Sequence, residues 1–328
     1  MKYYVAPLEG ITGYVFRNVH HRFFPGTDKY FIPFIEPKPD SKKIFTGREK
    51  NDVLPEHNQG MYVVPQILTN KWEHFLWTAE KLRELGYEEV NLNLGCPSRT
   101  VVSKNRGSGF LAFPDEVDQM LYQIFEKLDM RISVKTRIGK EDAEEFVRLM
   151  EIYNQYPMEE LIIHPRTQKQ LYRGMPDYGA FEEALCCAKM PVCFNGDLVL
   201  GKDLAQIQEK FPGIQSVMLG RGILRNPGLI QEGQNGVRVT REVLKAYHDG
   251  MLVEYQKELS GEVHVLHKMK ELWCYMLDFF EHTEKEKKAV MKAKKIREYT
   301  AAAAVILEQR EMRFDQGGKW TFRYSQGE

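Results

Sequence analysis

One of the five cysteines stands in a setting the other four lack. Cys96 lies in Asn93-Leu94-Gly95-Cys96-Pro97, directly after an apolar run, whereas Cys186, Cys187, Cys193 and Cys274 have no such frame. A thiol with a reference pKa near ~8.5 is mostly protonated at neutral pH, yet it releases its proton far more readily than a serine hydroxyl, so it can act as a general acid. Most free cysteines are buried and inert, and the other four are read that way. Further polar residues close other apolar runs. They are Glu9 in Ala6-Pro7-Leu8-Glu9-Gly10, Gln66 in Val64-Pro65-Gln66, Lys135 in Lys135-Thr136-Arg137, His164 in His164-Pro165-Arg166-Thr167, then Asn195-Gly196-Asp197 and Gly220-Arg221-Gly222. Glycines let a backbone approach an anion closely and arginine pairs with phosphate, so the last two segments together suit a phosphate site.

Chemistry spread over seven segments needs a frame that gathers strand ends. Eight short runs with strand character recur at 3–8, 30–36, 61–68, 89–94, 131–137, 161–164, 191–195 and 216–220. Several intervals carry helical periodicity, as in Trp72, Leu76, Ala79, Leu82 and Leu85 before Gly86, or Val117, Met120, Leu121, Ile124 and Leu128 after Pro114. Eight strand–helix units predict an α/β fold, a (β/α)8 TIM barrel, because a doubly wound sheet more often stops at fewer strands. In such a barrel the active site lies at the C-terminal strand ends, and the loops after strands seven and eight commonly hold phosphate. Strand signals stop after Arg225-Asn226-Pro227. From about Thr240 to about Arg310 apolar and charged residues alternate at helical spacing, which predicts a smaller C-terminal all-α domain. The expected organisation is a barrel over 1–238, a helical domain over 239–312 and a basic, aromatic tail over 313–328.

Composition narrows the class. A chain of 328 residues with 43% hydrophobic side chains can bury a sizeable core. Lys plus Arg equal Asp plus Glu at 46 each, so an anionic partner must be met by local segregation of charge. The odd cysteine count without C-x-x-C spacing suggests neither a disulfide framework nor a zinc ribbon. His264, His267 and Cys274 lack a fourth ligand nearby, so no metal is expected. No window approaches the ~18 apolar residues of a membrane span, and the first residues lead directly into a strand; a cytoplasmic protein without a membrane partner is expected.

Taken together, Asn-x-Gly-Cys-Pro at 93–97, Lys-x-Arg at 135–137, His-x-Arg-Thr at 164–167, Asn-Gly-Asp at 195–197 and Gly-Arg at 220–221 resemble the tRNA-dihydrouridine synthase family over nearly the whole chain. The resemblance implies an FMN enzyme that reduces the C5=C6 bond of uridines in tRNA, with NADPH as reductant. By the same resemblance, hydride would pass from flavin N5 to C6 and a proton from Cys96 to C5. It implies further that Lys135 sits beside flavin N1 and the C2 carbonyl, that His164 contacts the cofactor, and that Gln66 bonds the isoalloxazine edge. Pro7, Leu8 and Glu9 would pack along the ring, and Asn195, Gly196, Asp197, Gly220 and Arg221 would hold the phosphate. Asn93 would bind the target uracil. Arg166, with the segment Gln170-Leu171-Tyr172-Arg173-Gly174, would face the substrate, and Arg99 and Lys104 would meet RNA.

The family also carries a helical domain that grips tRNA. Here residues 284–297 hold seven Lys or Arg against two Glu, and helical spacing predicts Lys285, Lys288, Lys292 and Lys295 on one face. In the tail, Arg313, Lys319 and Arg323 interleave with Trp320, Phe322 and Tyr324, suiting backbone pairing and base stacking. A monomer without protein partners is expected. The chain departs from the family pattern at Gly13, where an acid or amide usually follows the threonine. It departs again at Thr100, where a basic residue is common and Arg99 is adjacent, and at Gly107-Ser108-Gly109-Phe110. The competing readings are an FMN barrel reductase of a small enone or pyrimidine, disfavoured by the basic C-terminal segment, and a catalytically silent tRNA-binding protein, disfavoured by intact Cys96 and Lys135. If the helical domain only grips tRNA, deleting it from about residue 240 should spare small-molecule NADPH oxidation.

Overall fold

The computed structural model describes residues 1–39 and 43–314. Eight parallel strands, β1 (Lys2–Val5), β2 (Lys29–Ile35), β3 (Val63–Ile67), β4 (Glu89–Leu94), β5 (Arg131–Arg137), β6 (Glu160–His164), β7 (Val192–Phe194) and β8 (Ser216–Leu219), close into a barrel in sequence order. The last strand pairs back onto β1, with Lys2 opposite Ser216 and Val5 opposite Leu219. Side-chain alternation explains the closure. Along β4, Val90, Leu92 and Leu94 join the main apolar core outside the barrel, while Asn91 and Asn93 bond to neighbours inside it. Tyr4, Ala6, Phe31, Val64, Ile162, Cys193 and Met218 fill the interior. Both faces of each strand are thus covered, as parallel sheets require.

Two strands depart from the sequence reading for local reasons. β1 ends at Val5 rather than residue 8, since Pro7 has no N–H to offer and the chain then curls. The curl is held by the Leu8 N–H, which donates to Thr12 Oγ1 at 2.8 Å, and by the Ile11 and Thr12 N–H groups returning to the Leu8 carbonyl. In β2, Pro33 interrupts the ladder and the register with β3 shifts between Ile32 and Ile35. The helices follow their signals. Trp72–Glu84 stops ahead of Gly86, whose φ of 92° suits a residue without Cβ, and Pro114 opens Pro114–Lys127.

Beyond the barrel run the helices Arg241–Glu258, Glu262–Met276, Glu284–Lys292 and Ile296–Gln309. Thr240 caps the first, its side chain accepting from the Val243 N–H. The basic run 284–297 is not one helix, and the expected face through Lys295 is corrected accordingly. The chain extends at Ala293 and Lys295 before the last helix begins. One tertiary and one local contact hold the break: Lys270 Nζ donates to the Ala293 carbonyl at 2.6 Å, and Glu298, in the first turn of the last helix, accepts from the Lys294 N–H at 2.9 Å. Lys285, Lys288 and Lys292 stay exposed on one helix, while Lys295 turns to Glu262 at 3.6 Å.

One cluster of buried apolar residues runs without interruption from Tyr3 and Phe16 through Tyr247 and Trp273 to Leu307, so barrel and C-terminal helices share a core. Of the tail, Arg313 is anchored by its N–H to the Phe279 carbonyl at 2.8 Å; Lys319, Trp320, Phe322, Arg323 and Tyr324 lie outside the described residues. Among the described residues no helix is long and apolar enough to cross a membrane.

Candidate active site

The C-terminal ends of the strands surround a cavity of about 360 Å³. Pro7, Leu8, Glu9, Gln66, Lys135, His164, Asn195, Gly196, Asp197, Gly220 and Arg221 all line it, together with Asn93 and Cys96. The barrel register sets their heights, with Asn93 opposite Lys135 and Arg137 opposite His164.

Cys96 is held through its backbone. Asn93 Oδ1 accepts from the Gly95 N–H at 3.1 Å and the Cys96 N–H at 2.9 Å, and the Cys96 carbonyl accepts from the Ser108 N–H at 3.0 Å and Ser108 Oγ at 2.9 Å. Gly107, at φ 55°, presses on this turn; a Cβ there would lie 2.7 Å from the Cys96 carbonyl oxygen. The Gly107-Ser108-Gly109 variation is therefore a clasp on Cys96. Arg137 completes it, with Nε donating to the Gly95 carbonyl at 2.9 Å and Nη1 to the carbonyls of Thr167 and Leu171. Burial pushes the half-buried Cys96 thiol up, with Glu9 adding to the effect and Arg137 and Lys135 opposing it. The thiol accordingly keeps its proton at neutral pH.

An amide chain crosses the cavity floor. Asn93 Nδ2 donates to Gln66 Oε1 at 2.7 Å, Gln66 Nε2 to Asn91 Oδ1 at 2.8 Å, and Asn91 Nδ2 to Ser133 Oγ at 2.9 Å. Lys135 projects beside it. Burial, with Arg137 adding, lowers the Lys135 ammonium to about 8, so at neutral pH it is a cation in a poorly solvated wall.

The β6–β8 corner gathers two arginines on one carboxylate. Asp197 takes Arg166 Nη2 in a close ion pair and Arg221 Nη2 at 2.8 Å. Arg166 Nη1 also donates to His164 Nε2 at 3.0 Å, which places the proton of the neutral ring on Nδ1. Burial first, then Arg137 and Lys135, holds His164 well below the usual imidazole range, so the ring is neutral. Two guanidiniums against one carboxylate leave this corner positive. Tyr172 stacks under it, its ring 4.5 Å from the Arg221 guanidinium.

Several expected residues stand elsewhere. Arg166, expected to face the substrate, is 0% exposed with both Nη atoms engaged; it braces His164 and Asp197 from behind the wall. Arg99 and Lys104 are exposed on the segment after Cys96 and do not line the cavity. Lys288, Lys292 and Lys295 lie on the helical part of the chain. The acid missing at Gly13 is supplied from a distance: Asp52 Oδ1 accepts from the Tyr14 N–H at 2.6 Å and pairs with buried Arg17 at 3.6 Å, 3.1 Å from where a Gly13 Cβ would stand. Phe34 and Tyr275 line the cavity without any sequence signal for it. The β2 register shift turns Phe34 inward, and Tyr275 sits in what reads as an ordinary apolar helix stripe.

Matched against models of known families, residues 4–314 fit dihydrouridine synthase. The chain is 26% identical over 232 residues to tRNA-dihydrouridine synthase B of Vibrio vulnificus (strain CMCP6), covering 70% of each chain. It is 29% identical over 232 residues to the probable tRNA-dihydrouridine synthase of Staphylococcus aureus (strain COL), covering 68% of each.

Proposed function

The chain belongs to the dihydrouridine synthase family, a class of flavin-dependent oxidoreductases, and from that premise we propose that it binds FMN in the barrel mouth and reduces uridines of tRNA, with Cys96 as the acid. The cavity's donor set fits the cofactor. Ala6, Leu8 and Met218 offer apolar wall to an aromatic ring system, Gln66 keeps one N–H and one lone pair for a ring edge, and Lys135 brings a cation to the same wall. At the other end Gly222 admits no side chain, since a Cβ would fall 2.0 Å from the Leu198 carbonyl oxygen, and the positive Arg166–Asp197–Arg221 corner suits phosphate. A carboxylate repels phosphate, so Asp197 acts by holding both arginines rather than by touching the anion.

Reduced FMN supplies the hydride when bound. The chain's own part is binding, orientation and one proton. Asn93, anchored through Oδ1 on the Cys96 turn and through one N–H on Gln66, keeps a second N–H for the uracil edge. Lys135 as a cation would stabilise negative charge on the bound cofactor, and His164 with its proton on Nδ1 would offer it a donor from the cavity wall. The Cys96 thiol gives its proton to C5, and the carrying observation is that this turn is fixed on both sides of the cysteine while burial keeps the thiol protonated.

The helical part, residues 239–312, is taken as the tRNA-gripping unit, supported by the exposed Lys285, Lys288 and Lys292, with the exposed Arg99 and Lys104 of the segment after Cys96 as further phosphate contacts. NADPH as reductant, a monomeric state and a cytoplasmic location complete the reading. Purified protein incubated with NADPH and unmodified tRNA should form dihydrouridine and release FMN on denaturation. Protein that takes up no flavin under any reconstitution would sink the proposal.

A further inference from the structure

The helix Glu262–Met276 belongs to the part of the chain read as a tRNA grip, yet it braces a loop beside the cavity at one place and lines the cavity at another. Lys268 Nζ donates to the Gly10 carbonyl at 2.7 Å and to Glu271 at 2.9 Å, fixing the loop that follows β1. Seven residues on, and so on the same face, half-buried Tyr275 lines the cavity beside Gly220, Arg221 and Tyr172. Trp273 and Met276, its neighbours, are wholly buried and hold the helix against the barrel. The Tyr275 ring is therefore placed by a rigid element, at the positive end of the cavity rather than the end that holds Cys96.

Its hydroxyl makes no hydrogen bond to any described residue. A partly buried tyrosine ordinarily spends that donor, and burial together with Tyr172 pushes the phenol up, so the proton stays on. Tyr275 shares the cavity wall with Arg221, Gly196 and Gly220, and Arg221 stands close enough for its charge to act on the phenol.

We propose that Tyr275 donates a hydrogen bond to the phosphate of bound FMN, so that the helical part of the chain completes the cofactor site. The inference rests on the reading of the cavity as an FMN site. Two consequences separate it from simple packing: it concerns the phosphate and not the ring system, and it needs the hydroxyl and not only the phenyl.

Full-length protein stripped of flavin is titrated with FMN and with riboflavin, following flavin fluorescence, for the wild type, Tyr275→Phe, Tyr275→Ala and the exposed-face control Val263→Ala. In Tyr275→Phe the preference for FMN over riboflavin should fall about tenfold, as for a lost hydrogen bond to a charged group, with riboflavin affinity unchanged. Tyr275→Ala should lose at least as much preference, and Val263→Ala should match the wild type. The proposal is overturned if Tyr275→Phe keeps the wild-type preference, or if both flavins weaken together. Wild-type protein that binds neither flavin overturns the FMN reading itself, which is a separate result.

Discussion

At the scale of single residues, the site turns on how one thiol is kept both protonated and close to solvent. Its backbone is tied to Asn93 and Ser108, and Gly107 leaves it no room to shift. Cys96→Ala should keep the protein yellow, because the residues assigned to flavin are untouched, while dihydrouridine formation falls by about 10²–10⁴, the span of general acid catalysis. Mapping dihydrouridine in tRNA after incubation with NADPH checks this, and undiminished product would remove Cys96 from the chemistry. The pH dependence has a definite sign. An acid works only while it holds its proton, and burial raises the Cys96 pKa above its ordinary value. Lys135, lowered to about 8, sheds its own charge in the mildly alkaline range, so the thiol is read in Lys135→Arg, which keeps that charge. There, reoxidation of the prereduced enzyme by tRNA should stay flat through neutrality and fall only on the alkaline side of the usual thiol range, and a rate already falling between about pH 7 and pH 8 would mean that the thiol is not shifted upward.

At the scale of elements, alternation in parallel strands makes the site legible in the sequence. A polar residue inside an otherwise apolar run, such as Asn93 or Lys135, has nowhere to point except into the barrel. What the sequence hides depends on partners distant along the chain. The helix Tyr14–Phe23 begins at a glycine with no capping side chain, and Asp52 supplies the cap from the helix Gly47–Val53. Asp52→Ala should cost about 3 kcal/mol, the lower end for breaking a buried ion pair, because Arg17 keeps the Thr12 and Asp52 carbonyls and Asn58 as acceptors. Asp52→Asn should cost less, since an amide oxygen can still cap, and urea unfolding of both variants measures the difference. The basic segment departs from its helical pattern for the same kind of reason. Helical spacing runs through Lys295, but the distant Lys270 captures the Ala293 carbonyl, and Glu298 caps the new helix at the Lys294 N–H, so the helix breaks. The consequence is measurable in tRNA binding. Replacing both Lys288 and Lys292 by Ala should lower the slope of log K against log salt by up to about 0.9 for each phosphate that is no longer neutralised, whereas Lys295→Ala, already paired with Glu262, should change it less.

At the scale of the whole molecule, the sequence suggests two separable units and the packing argues otherwise. Gly250 in the helix Arg241–Glu258 lets that helix close onto Tyr14–Phe23, with Phe23 3.1 Å from where its Cβ would stand. Tyr247 meets Phe24 edge-on at 5.3 Å. Arg225, buried just beyond β8, donates to the carbonyls of Asp278 and Arg313, and Tyr14 bonds Glu258. Removing residues from about 240 onward would expose the barrel side of this shared core, leave the Arg225 guanidinium without two of its acceptors, and take away Tyr275 from the cavity wall and Lys268 from the loop after β1. A buried charge stripped of partners is among the larger single destabilisations known. The expectation that a truncated barrel would still turn over NADPH is therefore reversed. The truncated chain should be poorly soluble, and any soluble fraction should bind FMN more weakly than the full chain, which flavin titration and gel filtration of residues 1–239 would measure. Wild-type FMN affinity in that fragment would restore the picture of an independent catalytic barrel and reduce the C-terminal helices to a tRNA grip alone.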